Sequence, residues 1–156
     1  MRILLVADLH YRLAQLDWLL AHGDEHDVVV VAGDHLNVVS PVALEAQIVA
    51  VRTILDRLAA RVRVCVCSGN HDLDSRNDAG EKTTGWLARL GAAGVVVDGE
   101  SATIDGTMFT MLGWWDGPTA RDRMETALEV AASSCRRPWV WGYHAPPPGP
   151  LSWTGA

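Results

Sequence analysis

Asp27-Val28-Val29-Val30-Val31-Ala32-Gly33-Asp34 is the stretch on which the fold turns. Four consecutive valines leave no polar face, so as a strand this run is buried on both sides. Gly33 ends it and Asp34 stands directly behind. Upstream, Arg2 to Ala7 is a shorter apolar run of the same kind, and Leu13, Leu16, Leu19 and Leu20 recur at helical spacing before Gly23. Downstream, Pro41 opens a long helix carrying Leu44, Ile48, Val51, Leu55 and Leu58, and Val62 to Cys67 is a third apolar run. The first 67 residues therefore read β-α-β-α-β. Apolar strands separated by helices imply a parallel sheet covered on both sides.

The remainder changes character. Ser68 to Gly80 is polar and loop-like, and Trp86, Leu87 and Leu90 predict a helix ending near Gly91. Val95–Val97 and Ala102–Ile104 are short strands. Asp105-Gly106 signals a tight hairpin that Thr107–Leu112 completes. Arg121 to Cys135 is helical, with Met124, Leu128 and Ala131 on one face, and Pro138 to Tyr143 is a last strand. Ala145 to Ala156 is Pro-rich and expected to be extended or irregular. No repeat or internal boundary divides the chain, so residues 1–156 read as a single domain.

Composition bounds the function. Of 156 residues, 49% are hydrophobic and seven are Trp, enough for a sizeable core. Thirteen basic against 19 acidic residues leave a net charge of −6, which disfavours a nucleic-acid partner. Bound metals would add positive charge locally, so nucleic acid is not excluded. Cys65 and Cys67 share one face of a strand, and without a second Cys pair they read as buried thiols in preference to zinc ligands. The apolar run Ile3–Ala7 is too short for a signal peptide and no run approaches a membrane span, so a cytoplasmic protein is expected.

The chemistry lies in where polar residues fall. Asp8-Leu9-His10 follows the first strand, Gly33-Asp34 the second, Gly69-Asn70-His71-Asp72 the third, and His144 the last. In an open parallel sheet the carboxyl ends of the strands share one edge, where ligands bind. Each piece alone has a plainer reading: Asp8 as a helix cap, Gly33-Asp34 and Gly69-Asn70 as turns, His144 as a loop histidine. Four such coincidences at four strand ends favour a site. Asp, His and Asn donors suit Mn, Fe, Zn or a similar divalent ion. A carboxylate such as Asp34 is able to bridge two ions about 3.5–4 Å apart, and a histidine that is not a ligand is able to protonate a leaving group.

This ordered set, Asp8-x-His10, Gly33-Asp34, Gly69-Asn70-His71-Asp72 and His144, resembles the signature of the calcineurin-like metallophosphoesterases over nearly the whole chain. The resemblance implies an α/β fold with a β-sandwich core flanked by helices. It implies metal-dependent hydrolysis of a phosphomonoester or phosphodiester at two divalent ions. By the same resemblance Asp8, His10 and Asp34 hold one ion, and Asp34, Asn70 and His144 the other. His71 would be the acid beside the scissile phosphate, with Asp72 orienting it.

The family pattern ends in Gly-His-x-His, and no such motif occurs here; the six histidines are 10, 22, 26, 35, 71 and 144. The chain is therefore expected to be truncated at its C-terminus, as a fragment or a shortened form. As it stands it would bind metal weakly and be nearly inactive. His22 and His26 precede the second strand, at the wrong end of the sheet. His35 and Arg76 are candidate substrate contacts, although a solvated or supporting role suits each at least as well. Asn37 would cap a helix or orient Asp34, and Trp114-Trp115 would pack in the core or wall a pocket. The expected partner is a small phosphoester substrate, not a membrane; a homo-oligomer and the alternatives of a nuclease or a non-catalytic binding module stay open.

Overall fold

The computed structural model describes residues 1–91, 94–135 and 138–145. The β-branched runs form β1 (Ile3–Val6), β2 (Val28–Ala32) and β3 (Arg63–Cys67), a parallel sheet with β2 in the centre. Ile3 lies opposite Val28, and Val28 opposite Arg63. α1 (Leu13–His22) and α2 (Leu44–Ala59) are the crossovers. Both move the chain one strand in the same direction. Right-handed crossovers then put both helices on one face, where Leu16, Leu19, Val51, Leu55 and Leu58 meet Val29, Val31, Val64 and Val66.

The opposite face, Val28, Val30, Ala32, Cys65 and Cys67, meets a second sheet through Phe109 and Met111. That sheet has the order β6-β7-β8, with β6 (Ser101–Ile104), β7 (Thr107–Leu112) and β8 (Trp139–Tyr143). β6 and β7 form the expected hairpin: Asp105 and Gly106 both take left-handed angles, φ 47° and 78°, the mirror-image turn that matches strand twist. β8 runs parallel to β7 after the crossover helix α4 (Pro118–Ser134). The first sheet is thus covered on both sides, by helices on one and by a sheet on the other, which is a β-sandwich flanked by helices. Over β1 the cover is thinner: Ile3 and Leu5 stay 41% and 66% exposed.

Several boundaries differ from the sequence reading. Val95–Val97 is not a strand but a single bridge, Val96 to Cys65, with hydrogen bonds to Val64 and Val66. The loop after β3 contains a small hairpin, β4 (Ser75–Arg76) and β5 (Lys82–Thr83), followed by the short α3 (Ala88–Gly91). α2 starts at Leu44, not Pro41, because the buried Gln47 side chain holds Asn37 N–H and the carbonyls of Asn37 and Val42 in a turn. α4 starts at Pro118, where Glu81 accepts the orphan N–H groups of Thr119 and Ala120. Most of the Pro-rich tail, residues 146–156, lies outside the described residues. Among the described residues no helix is long and apolar enough to cross a membrane.

Candidate metal centre

Three loops leave the carboxyl edge of the first sheet, and those after β1 and β2 lock together through their backbones. Asp8 N–H donates to Gly33 O, His10 N–H to Asp34 O and Tyr11 N–H to His35 O, at 3.2, 2.8 and 2.8 Å. These bonds hold Asp8, His10, Tyr11 and Asp34 at φ 55°, 44°, 56° and 54°, angles that L-residues avoid and that persist only where the surroundings fix them. Two glycines are required by space. A Cβ on Gly33 would stand 2.5 Å from His144 Nδ1, and one on Gly69 2.5 Å from Asp34 N.

At the centre is Asp34, only 4% exposed. Its Oδ1 accepts His71 N–H at 3.0 Å. Its Oδ2 faces three imidazoles, with His144, His10 and His71 Nε2 at 3.5, 3.6 and 4.0 Å. Asp8 Oδ1 lies 3.7 Å from His10 Nε2. His144 Nδ1 donates to Ala32 O at 2.8 Å, which fixes the tautomer and turns Nε2 toward Asp34. Burial alone would push the Asp34 carboxyl up, but His144, the His71 N–H and the charge of both rings outweigh it and hold it below its ordinary value. The Asp34 carboxylate pushes His144 up to about 9; burial opposes this, and the Ala32 carbonyl and Asp8 add to it.

The donor set fits a divalent ion. Ligand atoms of His10, Asp34 and His71, and separately of Asp8, Asp34 and His144, lie within 4.8 Å of one another. The Nε2-to-Oδ2 gaps exceed a hydrogen bond. They are close to the spacing of two donors that share an ion at about 2.0–2.2 Å. Asp34 belongs to both sets. Among the described residues neither donor set contains a cysteine, and burial pushes the Cys65 thiol up to about 12 and also raises Cys67.

Asp8, His10, Asp34, His71 and His144 therefore converge. Asn70 stands exposed in the same loop, between Gly69 and His71. His71 sits edge-on to His10 with ring centres 4.7 Å apart, and its buried Nδ1 has no hydrogen-bond partner among the described residues. Trp114 lies edge-on to His144 at 5.8 Å and so walls the centre, and Trp115 lies under Arg121.

Four expectations are corrected. Asp72 does not orient the His71 ring, because both its oxygens are taken elsewhere. Oδ1 accepts His35 N–H and Leu36 N–H; Oδ2 accepts Gly69 N–H and meets His35 Nδ1 at 2.8 Å. His35 is wholly buried and has no surface with which to touch a substrate. Arg76 donates to Gly80 O within its own hairpin, and Asn37 accepts Val39 N–H in place of capping a helix. His22 and His26 lie before β2, at the opposite end of the strand from Asp34.

The sequence reading missed Ser68 and Asp98. Asp98 accepts both Ser68 N–H and Ser68 Oγ–H, at 2.8 and 2.6 Å, and Ser68 Oγ in turn accepts Trp114 N–H at 2.9 Å. This chain fixes the wall beside His144. Burial pushes Asp98 up to about 6, against the pull of Ser68. The one signal, Asp98-Gly99, reads locally as a turn.

The sequence profile described as calcineurin-like phosphoesterase matches residues 1–141. The chain belongs to the calcineurin-like phosphoesterase family. Members of this family are in general metal-dependent hydrolases of phosphoesters, and the donor sets above are candidates for binding a divalent ion. Among solved structures, TT1561 of Thermus thermophilus aligns with 99% of this calcineurin-like chain and 73% of its own, at 13% identity and a TM-score of 0.71. A second solved structure aligns over 95% and 70%, at 16% identity and a TM-score of 0.63. These two establish the shared fold. Yfce, described as a phosphoesterase from E. coli, aligns over 70% and 55%, at 17% identity and a TM-score of 0.38. No curated protein matches the sequence.

Proposed function

We propose that this calcineurin-like phosphoesterase hydrolyses a small phosphomonoester or phosphodiester at two divalent ions, Mn, Fe, Zn or similar, that share Asp34. The observation that carries the reading is the membership of Asp34 in both donor sets, with three imidazole nitrogens around one of its oxygens at ligand spacing. Asp8, His10, Asp34, Asn70 and His144 are the ligands of this proposal. When bound, the ions supply positive charge to the phosphoryl oxygens and to the attacking water. The protein's own part is positional. Ala32 O fixes His144, the Gly33 and Gly69 turns bring the loops into contact, and His71 offers a proton to the leaving oxygen. The net charge of −6 favours a small substrate over nucleic acid. Free, buried Cys65 and Cys67 support a cytoplasmic location.

A second reading is favoured by one observation. His71 falls in the donor set with His10 and Asp34, so a single ion held by His10, Asp34 and His71 would make the protein a metal-binding module without an acid. Metal titration by calorimetry beside hydrolysis of an aryl phosphodiester separates the two. His71→Ala is expected to keep its metal while hydrolysis slows by about 10²–10⁴-fold, most for poor leaving groups. Loss of metal in step with activity would assign His71 as a ligand and overturn the two-ion proposal.

A further inference from the structure

The buried pair behind the metal centre is unexplained by any role in binding substrate. His35 and Asp72 are both 0% exposed. Their contact, His35 Nδ1 to Asp72 Oδ2 at 2.8 Å, is a hydrogen bond between groups 37 residues apart. The geometry puts the ring proton on Nδ1. Nε2 is then a buried acceptor with no partner among the described residues, its ring edge-on to Trp86 at 5.5 Å. An aromatic hydrocarbon ring would pack there without an orphaned nitrogen. The position therefore answers to something other than packing.

Asp72 shows what that is. Its two oxygens gather His35 N–H, Leu36 N–H and Gly69 N–H, so one carboxylate ties the loop after β2 to the loop after β3. Asp34 immediately precedes His35, and Gly69 directly abuts Asp34. The same two loops are joined by His71 N–H to Asp34 Oδ1. The His35 ring donates a fourth hydrogen bond to this buried carboxylate, beside its three backbone N–H groups. Trp86 Nε1–H donating to Asp72 O holds the far side of the turn.

We infer that His35 is a positioning residue: through Asp72 it clamps the Asp34 loop against the Gly69–His71 loop and so sets the spacing of the metal donors. This rests on the two-ion reading for its consequence, although not for its geometry. The donated proton at Nδ1 is the operative feature.

Three variants test it. His35→Asn places an amide nitrogen near the position of Nδ1 and keeps the donor. His35→Phe fills the volume without one. His35→Gln is polar but carries its nitrogen near the position of Nε2, and stands in if the Phe variant does not fold. Calorimetric titration with Mn²⁺ or Zn²⁺ is expected to show affinity about 10–100-fold weaker in His35→Phe or His35→Gln, with His35→Asn within about threefold of wild type. Amide exchange in the metal-free chain is the second readout. The donor-less variants are expected to speed exchange at Leu36, Gly69 and His71 while β2 and α2 keep their protection. Three results would overturn the clamp: equal impairment in all variants, wild-type behaviour in His35→Phe, or exchange that rises uniformly through β2 and α2. Should wild type itself take up no metal, the two-ion reading fails, and the exchange comparison still decides the clamp.

Discussion

On the helix-covered face of the first sheet, Val29, Val31, Leu55 and Leu58 are sealed from water. A few residues along the same strands, Asp8, His10, Tyr11 and Asp34 hold left-handed angles. Among the described residues these are four of the five non-glycine positions with positive φ, the fifth being the hairpin Asp105. Each costs of order 1–2 kcal/mol for an L-residue, less for Asp. Regular, dry packing supplies stability that the irregular edge consumes. The strain sits where side chains must be aimed, so the two regions should respond to mutation in opposite ways.

The largest expected effect is on the packed side. Leu55→Ala should lower the unfolding free energy by about 2–5 kcal/mol in urea titration, while metal affinity of the folded protein holds. A parallel fall in affinity would show that the regions are not separable.

Asp98 sits between them, and its effect is set by pH. Its carboxyl is pushed up from 3.8 to about 6 in the folded chain, so folding favours the protonated form. The stability this contributes is complete below about pH 4 and is lost as pH rises through about 6. Asp98→Asn fixes the neutral state. Between about pH 4 and pH 7 the variant should gain up to about 2 kcal/mol on wild type in urea titrations. A difference that stays flat with pH would remove Asp98 from this account.

The smallest effect is again a gain, opposite in sign to that of Leu55→Ala. Asp8 is 63% exposed and holds φ 55°, so Asp8→Gly removes little packing and relieves the backbone. Thermal unfolding of the metal-free chain should show a gain of up to about 1 kcal/mol, with metal binding weakened in calorimetry. Destabilisation would mean that Asp8 is held by contacts and not by its role at the centre.

Much of this was legible in the sequence. The strands could be read because valine-rich runs end abruptly in turns that carry donors: Val31-Ala32 in Gly33-Asp34, and Val66-Cys67, one residue on, in Gly69-Asn70-His71. That abruptness also placed Asp8, His10, Asp34, His71 and His144 along one edge. What could not be read depends on contacts made through space. The partner of Asp72 is His35, 37 residues away, and adjacency to His71 pointed to the wrong ring. Gln47 holds off the start of α2 by three hydrogen bonds that leave no local pattern. Val95–Val97 has strand composition, but only Val96 finds an edge to pair with. The face of the valine run that meets Phe109 and Met111 looks the same in sequence as the face that meets helices.

The bond from His144 to Ala32 spans 112 residues. Contacts so distant in sequence close late, after the local β-α-β units have formed. On a ribosome, Ala32 emerges long before the imidazole that it will orient. The Asp8, His10, Asp34 and His71 loops then wait in a nascent chain that lacks one wall and one nitrogen. Under the proposed two-ion reading, the donor set that includes His144 would be complete only once β8 has docked.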